Sequence, residues 1–303
     1  MRIVSLLPSA TEIVCALGLR DQLVGISHRC DYPAELEGLA VVTRPAAPLS
    51  PAAPLSSAAP ALVADEIGVA ELDVNALVAC APDLIIVRDS GPGLHSLAVR
   101  DALAGRIDPR IIALDPVSLE GIFHAITTIG AMVEMEDDAI ELLEALREDL
   151  GDIEQHAVGR QDEGVARQRV VVLEGFDPPI ASGRWVPEQV RRAGGWELLG
   201  TEGEAPMPTT WEAVCDVDPD MLLMAPAGMT LANAQLAWAR VDKPEFWHEI
   251  EAVRRGQVFI VDPDLLCRPG PRVVDGVAML AEIFDPEGFI ETSPPASWTP
   301  LFE

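Results

Sequence analysis

Five histidines and five cysteines supply the imidazoles and thiols of this 303-residue chain, and their spacing limits what they can do. His28, His95, His124, His156 and His248 lie far apart, with no His-Glu-x-x-His pair to seat zinc on one helix. Cys15, Cys30, Cys80, Cys215 and Cys267 are odd in number and form no Cys-x-x-Cys, so neither a zinc site nor a disulfide framework is implied. His28 and Cys30, beside Asp31, are the one short cluster of imidazole and thiol donors, a weak metal candidate. The single lysine, Lys243, belongs to no phosphate loop, and the sequence has neither a Gly-x-Gly-x-x-Gly after a strand nor a Gly-x-Ser-x-Gly elbow. What recurs instead is proline, glycine, aromatic and arginine side chains, in Ser27-His-Arg-Cys-Asp-Tyr-Pro33, Gly175 to Trp185 and Asp262 to Arg272. Such a surface suits a large, flat, partly anionic ligand better than a reaction, and no catalytic residue is assigned.

These segments have to be held by a repeated scaffold. Arg2-Ile-Val-Ser-Leu-Leu and Arg169-Val-Val-Val-Leu each open an apolar run of strand length. Four landmarks then recur in one order: Arg2, Gly25, Pro82 and Asp115 against Arg169, Gly200, Pro219 and Asp262. Each half alternates short apolar strands with amphipathic helices, the pattern of a parallel sheet covered on both faces. Ligands bind beyond the carboxyl ends of such strands, which is where the quoted segments fall. A helix is expected over Thr11 to Leu19, with Ser9 as its N-cap and Glu12 completing a capping box. Between the halves, Leu119, Ile122, Phe123, Ile126, Ile129 and Val133 form one helical stripe and Ile140, Leu143, Leu146, Leu150 and Ile153 another. The expected fold is α/β: two Rossmann-like parallel-sheet lobes joined by a long backbone helix, with the ligand cleft between them. The lobes are expected over 1–116 and 168–290, the helical region over 117–157, a polar surface linker over Gly159 to Arg167 and a tail over 291–303. The direct repeat Pro-Ala-Ala-Pro-Leu-Ser from Pro45 to Ser56 reads as a loop wrapping the first lobe.

A net charge of −28, from 21 basic and 49 acidic side chains, repels phosphate backbones and anionic lipid. Nucleic acid and membrane surfaces are therefore not expected partners, and the protein is expected to be a monomer. The apolar run of the N-terminus spans about six residues, shorter than a secretory core of about 7–15, and reads as the first strand. As it stands the chain is expected in the cytoplasm, or outside it if a leader has been removed.

In the motifs Ser5-Leu-Leu-Pro-Ser-Ala-Thr-Glu12, Ser27 to Pro33, Ala81-Pro-Asp-Leu84, Phe176-Asp-Pro-Pro179 with Ser182-Gly183, Ala193-Gly-Gly195 and Arg268-Pro-Gly-Pro-Arg272, the chain resembles the helical-backbone (class III) substrate-binding proteins of ABC importers. It is most similar to their cobalamin-binding branch, over about residues 2–290. The resemblance implies cobalamin, or a related corrinoid or metal chelate, as ligand, and ABC-importer membrane subunits as partners. It implies that Tyr32 lines the corrin, that Phe176 or Ile180 lies near the second-lobe aromatic position, and that Arg268 reaches into the cleft. Trp185 joins them from its place at a strand-end loop. Arg44 and Met207 stand where cobalamin binders carry tryptophans. Glu212 matches the docking glutamate of the second lobe, whereas Asn75 replaces that of the first. Two other readings stay open: a cytoplasmic corrinoid carrier or sensor without a transporter, and a haem or iron-siderophore binding protein.

Overall fold

The computed structural model describes residues 1–45, 70–89, 94–290 and 292–301, so most of the Pro-Ala-Ala-Pro-Leu-Ser repeat and part of the loop after Arg88 lie outside the described residues. Two compact units are formed, one from described residues in 1–116 and 120–144 and the other from 117–119 and 145–301.

The first unit carries strands β1 (Ile3–Ser5), β2 (Leu23–Ile26), β3 (Ala40–Val41), β6 (Leu84–Arg88) and β7 (Arg110–Leu114) in one wholly parallel sheet, ordered β3-β2-β1-β6-β7. A separate antiparallel pair, β4 (Thr43–Pro45) and β5 (Ala70–Leu72), stands apart from that sheet. Helices α1 (Pro8–Ala16), α2 (Val74–Ala79) and α3 (Ser96–Leu103) connect the strands. The central strands are apolar on both faces because helices cover both: Ile3, Val4, Leu84, Ile85, Ile86 and Val87 are fully buried. The N-cap of helix α1 lies before the expected one, at Leu7 in place of Ser9, and the helix ends at Ala16. Pro8 occupies the first turn, Leu7 is the N-cap with no side-chain bond, and Ser9 lies inside the helix. Proline's missing N–H and fixed φ suit that first position, which displaces the Ser9–Glu12 capping box.

Helix α4 (Leu119–Met132) buries its whole predicted stripe. Helix α5 (Glu136–Asp162) is 27 residues long, starts in the first unit and ends in the second. Leu143, Leu150 and Ile153 are buried, but Ile140 is 52% exposed and Ala139 takes its place against Gly130, where a Cβ would stand 2.5 Å from that of Ala139. The residues read as a linker from Gly159 continue the helix to Asp162. His156 and Arg160 bind Asp285 at 3.0 and 3.3 Å and hold that last turn.

In the second unit, β8 (Gln168–Phe176), β10 (Gly195–Glu197), β12 (Met221–Met224) and β13 (Val258–Val261) repeat the parallel arrangement, β8 pairing with both β10 and β12 as β1 pairs with β2 and β6. The sheet is not purely parallel. β9 (Pro179–Ala181) folds back on β8 as a hairpin, β11 (Met207–Pro208) pairs antiparallel with β9, and β14 (Trp298–Pro300) pairs antiparallel with β13. The residues expected as a tail thus supply an edge strand. Helices α6 (Val186–Arg192), α7 (Trp211–Val217), α8 (Leu231–Trp238), α9 (Glu251–Arg254), α10 (Pro263–Cys267) and α11 (Val273–Phe284) complete the unit.

The repeated arginines have one job in both units. The backbone N–H of Arg2 donates to Asp83 at 2.7 Å and its guanidinium to the carbonyl of Cys80 at the end of α2. The N–H of Arg169 likewise donates to Asp220 at 3.0 Å, and its guanidinium to the carbonyls of Val217 and Asp218 at the end of α7. Each helix stops on a left-handed residue, Ala81 (φ 43°) or Asp218 (φ 44°), just before the shared proline, which disfavours helix in its predecessor. The Gly25–Gly200 landmark does not carry over. Gly25 lies within β2, whereas Gly200 lies past the end of β10, and Glu197 takes the place opposite Val170 that Leu23 takes opposite Ile3.

Candidate functional site

In the first unit the candidate residues follow the end of β2, lie on β4, or stand at the start of α2 after β5. His28 sits against Thr43, its N–H and its Nδ1 both within 2.9 Å of the Thr43 hydroxyl. Burial, and then the neighbouring Arg29, lower its pKa and favour the neutral imidazole. The Cys30 thiol instead meets the hydroxyls of Thr11 and Ser27, at 3.1 and 3.3 Å. His28 and Cys30 thus have different polar partners, and among the described residues no group of three or more His, Cys, Asp or Glu side chains could hold a metal ion. Tyr32 is half-exposed, in a turn whose Tyr32–Pro33 peptide is cis. Arg44 is exposed on β4 and paired with Glu71 of β5 at 2.8 Å. At the start of α2, Asp73 accepts the Ala76 N–H at 2.9 Å, and the Asn75 side chain accepts from Arg106 at 2.9 Å.

The second unit treats its candidates differently. Phe176 and Ile180, on the two arms of the β8–β9 hairpin, are each 2% exposed. Phe176 stacks edge-on against Trp238 at 5.6 Å in a cluster with Trp211 and Trp247. Trp185 is 3% exposed and its indole N–H donates to the Leu266 carbonyl at 2.6 Å, so it seats α6 on α10 and has almost no surface left for a ligand. Trp185, Phe176 and Ile180 were expected among the ligand-lining residues, and all three side chains are taken up by the core. Arg268 is also buried and pairs with Asp264, one helical turn earlier, at 2.8 Å. Arg272 is the N-cap residue of α11 but makes no side-chain capping bond there. Met207 is exposed on β11, and Glu212 is exposed in the first turn of α7, whose N-cap Thr210 accepts the Ala213 N–H at 3.2 Å.

The sequence reading passed over three buried polar residues here. Gln189, fully buried, donates to the carbonyls of Leu265 and Val273 at 3.1 and 2.8 Å. Glu174, 2% exposed, accepts the Gly183 N–H at 2.9 Å. Glu197 accepts from Val172 at 3.1 Å and Leu199 at 2.7 Å, and from Gly200. Burial pushes both glutamates up to about 7, against the pull of those N–H groups. A lone acidic residue closing an apolar run, as in Val170-Val-Val-Leu-Glu174, was the available signal.

The sequence pattern of a family described as periplasmic binding protein matches residues 3–265. The chain belongs to that family. This periplasmic binding protein family member is 28% identical to an uncharacterized ABC transporter substrate-binding lipoprotein, YvrC, of Bacillus subtilis, over 96% of this chain and 82% of the relative. It is 26% identical to a vitamin B12-binding protein of Vibrio cholerae, over 91% and 86% of the two chains. Among solved structures, the periplasmic vitamin B12 binding protein BtuF of Vibrio cholerae aligns with a TM-score of 0.65 at 23% identity, covering 94% of this chain and 96% of the other. A periplasmic heme binding protein of Pseudomonas aeruginosa aligns with a TM-score of 0.70 at 22% identity, covering 94% and 93%. These two structures share the fold with this binding protein.

Proposed function

We propose that this chain binds a corrinoid, cobalamin first, and delivers it to an ABC importer without converting it. The observation that carries the reading is the likeness to vitamin B12-binding proteins along more than nine-tenths of the chain, in a family of binding proteins. The half-exposed Tyr32 and the exposed Met207 are the side chains proposed to meet the ligand, and Arg268, buried against Asp264, is proposed to act on it through its charge and not by direct contact. Tyrosine and methionine both suit a broad apolar face, the second by its flexibility and polarizable sulfur. The site of action proposed is outside the cytoplasm, since relatives are named as a lipoprotein and as periplasmic; this replaces the cytoplasmic expectation drawn from the first residues. Among the described residues no helix is long and apolar enough to cross a membrane.

An absorbance and calorimetric titration of the purified protein with cyanocobalamin, cobinamide and haem tests the proposal. Saturable binding of one corrinoid per chain is expected. Saturation by haem with no response to either corrinoid would replace the ligand, and turnover of a bound corrinoid would replace the binding role.

A further inference from the structure

After the β8–β9 hairpin the chain of the second unit passes through Ser182, Gly183, Arg184 and Trp185. Met224, the last residue of β12, pairs with Leu173, so Glu174 of β8 stands just past the level at which β12 ends. Its Oε1 accepts the Gly183 N–H at 2.9 Å. On the other side of Gly183 the segment 204–206 packs so closely that a Cβ there would lie 2.4 Å from the Glu204 carbonyl oxygen and 2.5 Å from the Pro206 nitrogen. Arg184 then adopts φ +52°, a left-handed conformation that side chains other than glycine, asparagine and aspartate rarely take. Its N–H donates to the Glu204 carbonyl, and its own carbonyl accepts from Gly203 at 2.8 Å. A non-glycine residue is kept there only when its surroundings over-determine it, and such residues cluster where ligands are held.

We propose that Glu174 is a positioning residue for ligand binding: through Gly183 it holds the left-handed turn that fixes where Arg184 stands. The inference rests on the substrate-binding reading above and adds a residue to it. The Glu174 carboxyl faces Arg184 from the turn itself, Glu197 from β10 and Cys267 from α10, and the Cys267 thiol is in turn approached by Asp262 and Asp264. Burial outweighs the Gly183 bond and the Arg184 charge and pushes the carboxyl up to about 7. Below about pH 7 the held turn therefore contains the neutral acid. Releasing the turn to water lets the carboxyl ionise near its ordinary value, so rising pH favours the released turn.

The test is calorimetry with cyanocobalamin at pH 6 and pH 8, together with hydrogen–deuterium exchange of residues 182–185, on wild type and Glu174→Gln. Glutamine keeps an acceptor for Gly183 and cannot ionise. Wild type should lose up to about ten-fold in affinity between the two pH values, the full linkage of one group titrating near 7, while exchange in 182–185 rises beyond its intrinsic increase. Glu174→Gln should hold the pH 6 affinity and slow exchange at both. A variant that keeps the wild-type pH dependence in both measurements overturns the inference. So does a flat exchange profile in wild type, which needs no variant to fold. If cyanocobalamin does not bind wild type, the ligand assignment fails separately, and the exchange profiles alone decide whether Glu174 holds the turn.

Discussion

Glu197 closes a gap that no strand fills. On the edge of β8, β10 pairs as far as Val170 and β9 pairs from Leu173, and between them the Val172 N–H finds the Glu197 carboxylate. Both carboxylate oxygens are engaged, one by Val172 and the other by Leu199 and Gly200. Glu197→Gln must therefore turn an amide NH2 toward at least one N–H donor. The expected loss is about 1–3 kcal/mol for a buried group left unpaired, larger than for Glu174→Gln, where only one oxygen accepts a backbone bond. Thermal melts of both variants check this order. The same melts carry a pH signature. Each glutamate's folded value of about 7 lies above its ordinary 4.5, so the unfolded chain gives up the proton first. Stability should fall as pH rises from about 4.5 to about 7, and Glu174→Gln should flatten part of that slope. A steeper slope in the variant would contradict the assignment. Tyr32 and Glu212 are exposed, whereas burial, which a sequence does not display, took Trp185 and Phe176 into the core.

The arginine clamps set the boundary between helix and strand in both units. A guanidinium bound to the last carbonyls of α2 or α7 satisfies acceptors that the helix itself leaves open, and the aspartate of the neighbouring Pro-Asp pair accepts the N–H of the arginine at the start of the strand. Arg2→Ala and Arg169→Ala keep the backbone N–H bonds and lose the guanidinium ones, which should cost about 1–3 kcal/mol each. Denaturant unfolding followed by hydrogen exchange should place the first loss around α2 and β6 and the second around α7 and β12. A loss spread evenly over the chain would argue against a local clamp. The sequence displays the recurrence of Arg2 and Pro82-Asp83 as Arg169 and Pro219-Asp220, but not the bonds that join them. Periodicity alone overreached at Ile140, which continues the apolar spacing of α5 on a turn where Ala139 makes the close contact. It fell short at Gly159, where polar residues read as a linker but the ion pairs of Asp285 extend the helix.

At the scale of the whole molecule the duplication shows in the order of strands around β1 and β8. The additions to the second sheet were not legible, since β9 and β11 are runs of three and two residues that each contain a proline. The units also differ where the resemblance implies contact with a transporter: an exposed carboxylate at Glu212, and an amide at Asn75 already joined to Arg106. If Glu212 docks the membrane partner, Glu212→Arg should leave corrinoid affinity within two-fold while reducing uptake in cells at least ten-fold, a step of about 1.4 kcal/mol in the docking equilibrium. Unchanged uptake would remove Glu212 from the interface.

The last strand has a consequence for how the chain is made. β14 lies across the open edge of β13, its Trp298 ring against Phe259 at 5.6 Å, and the Leu301 N–H reaches back to the Val258 carbonyl at 2.8 Å. During synthesis β13 emerges nearly forty residues before its cover. Throughout that interval its outer edge is an unpaired template for other chains. The first unit's strands need nothing from beyond Leu114 to complete their sheet, so that sheet can form while the second still waits on the ribosome. Until β14 is made, that edge is open to a strand of another chain or to a chaperone.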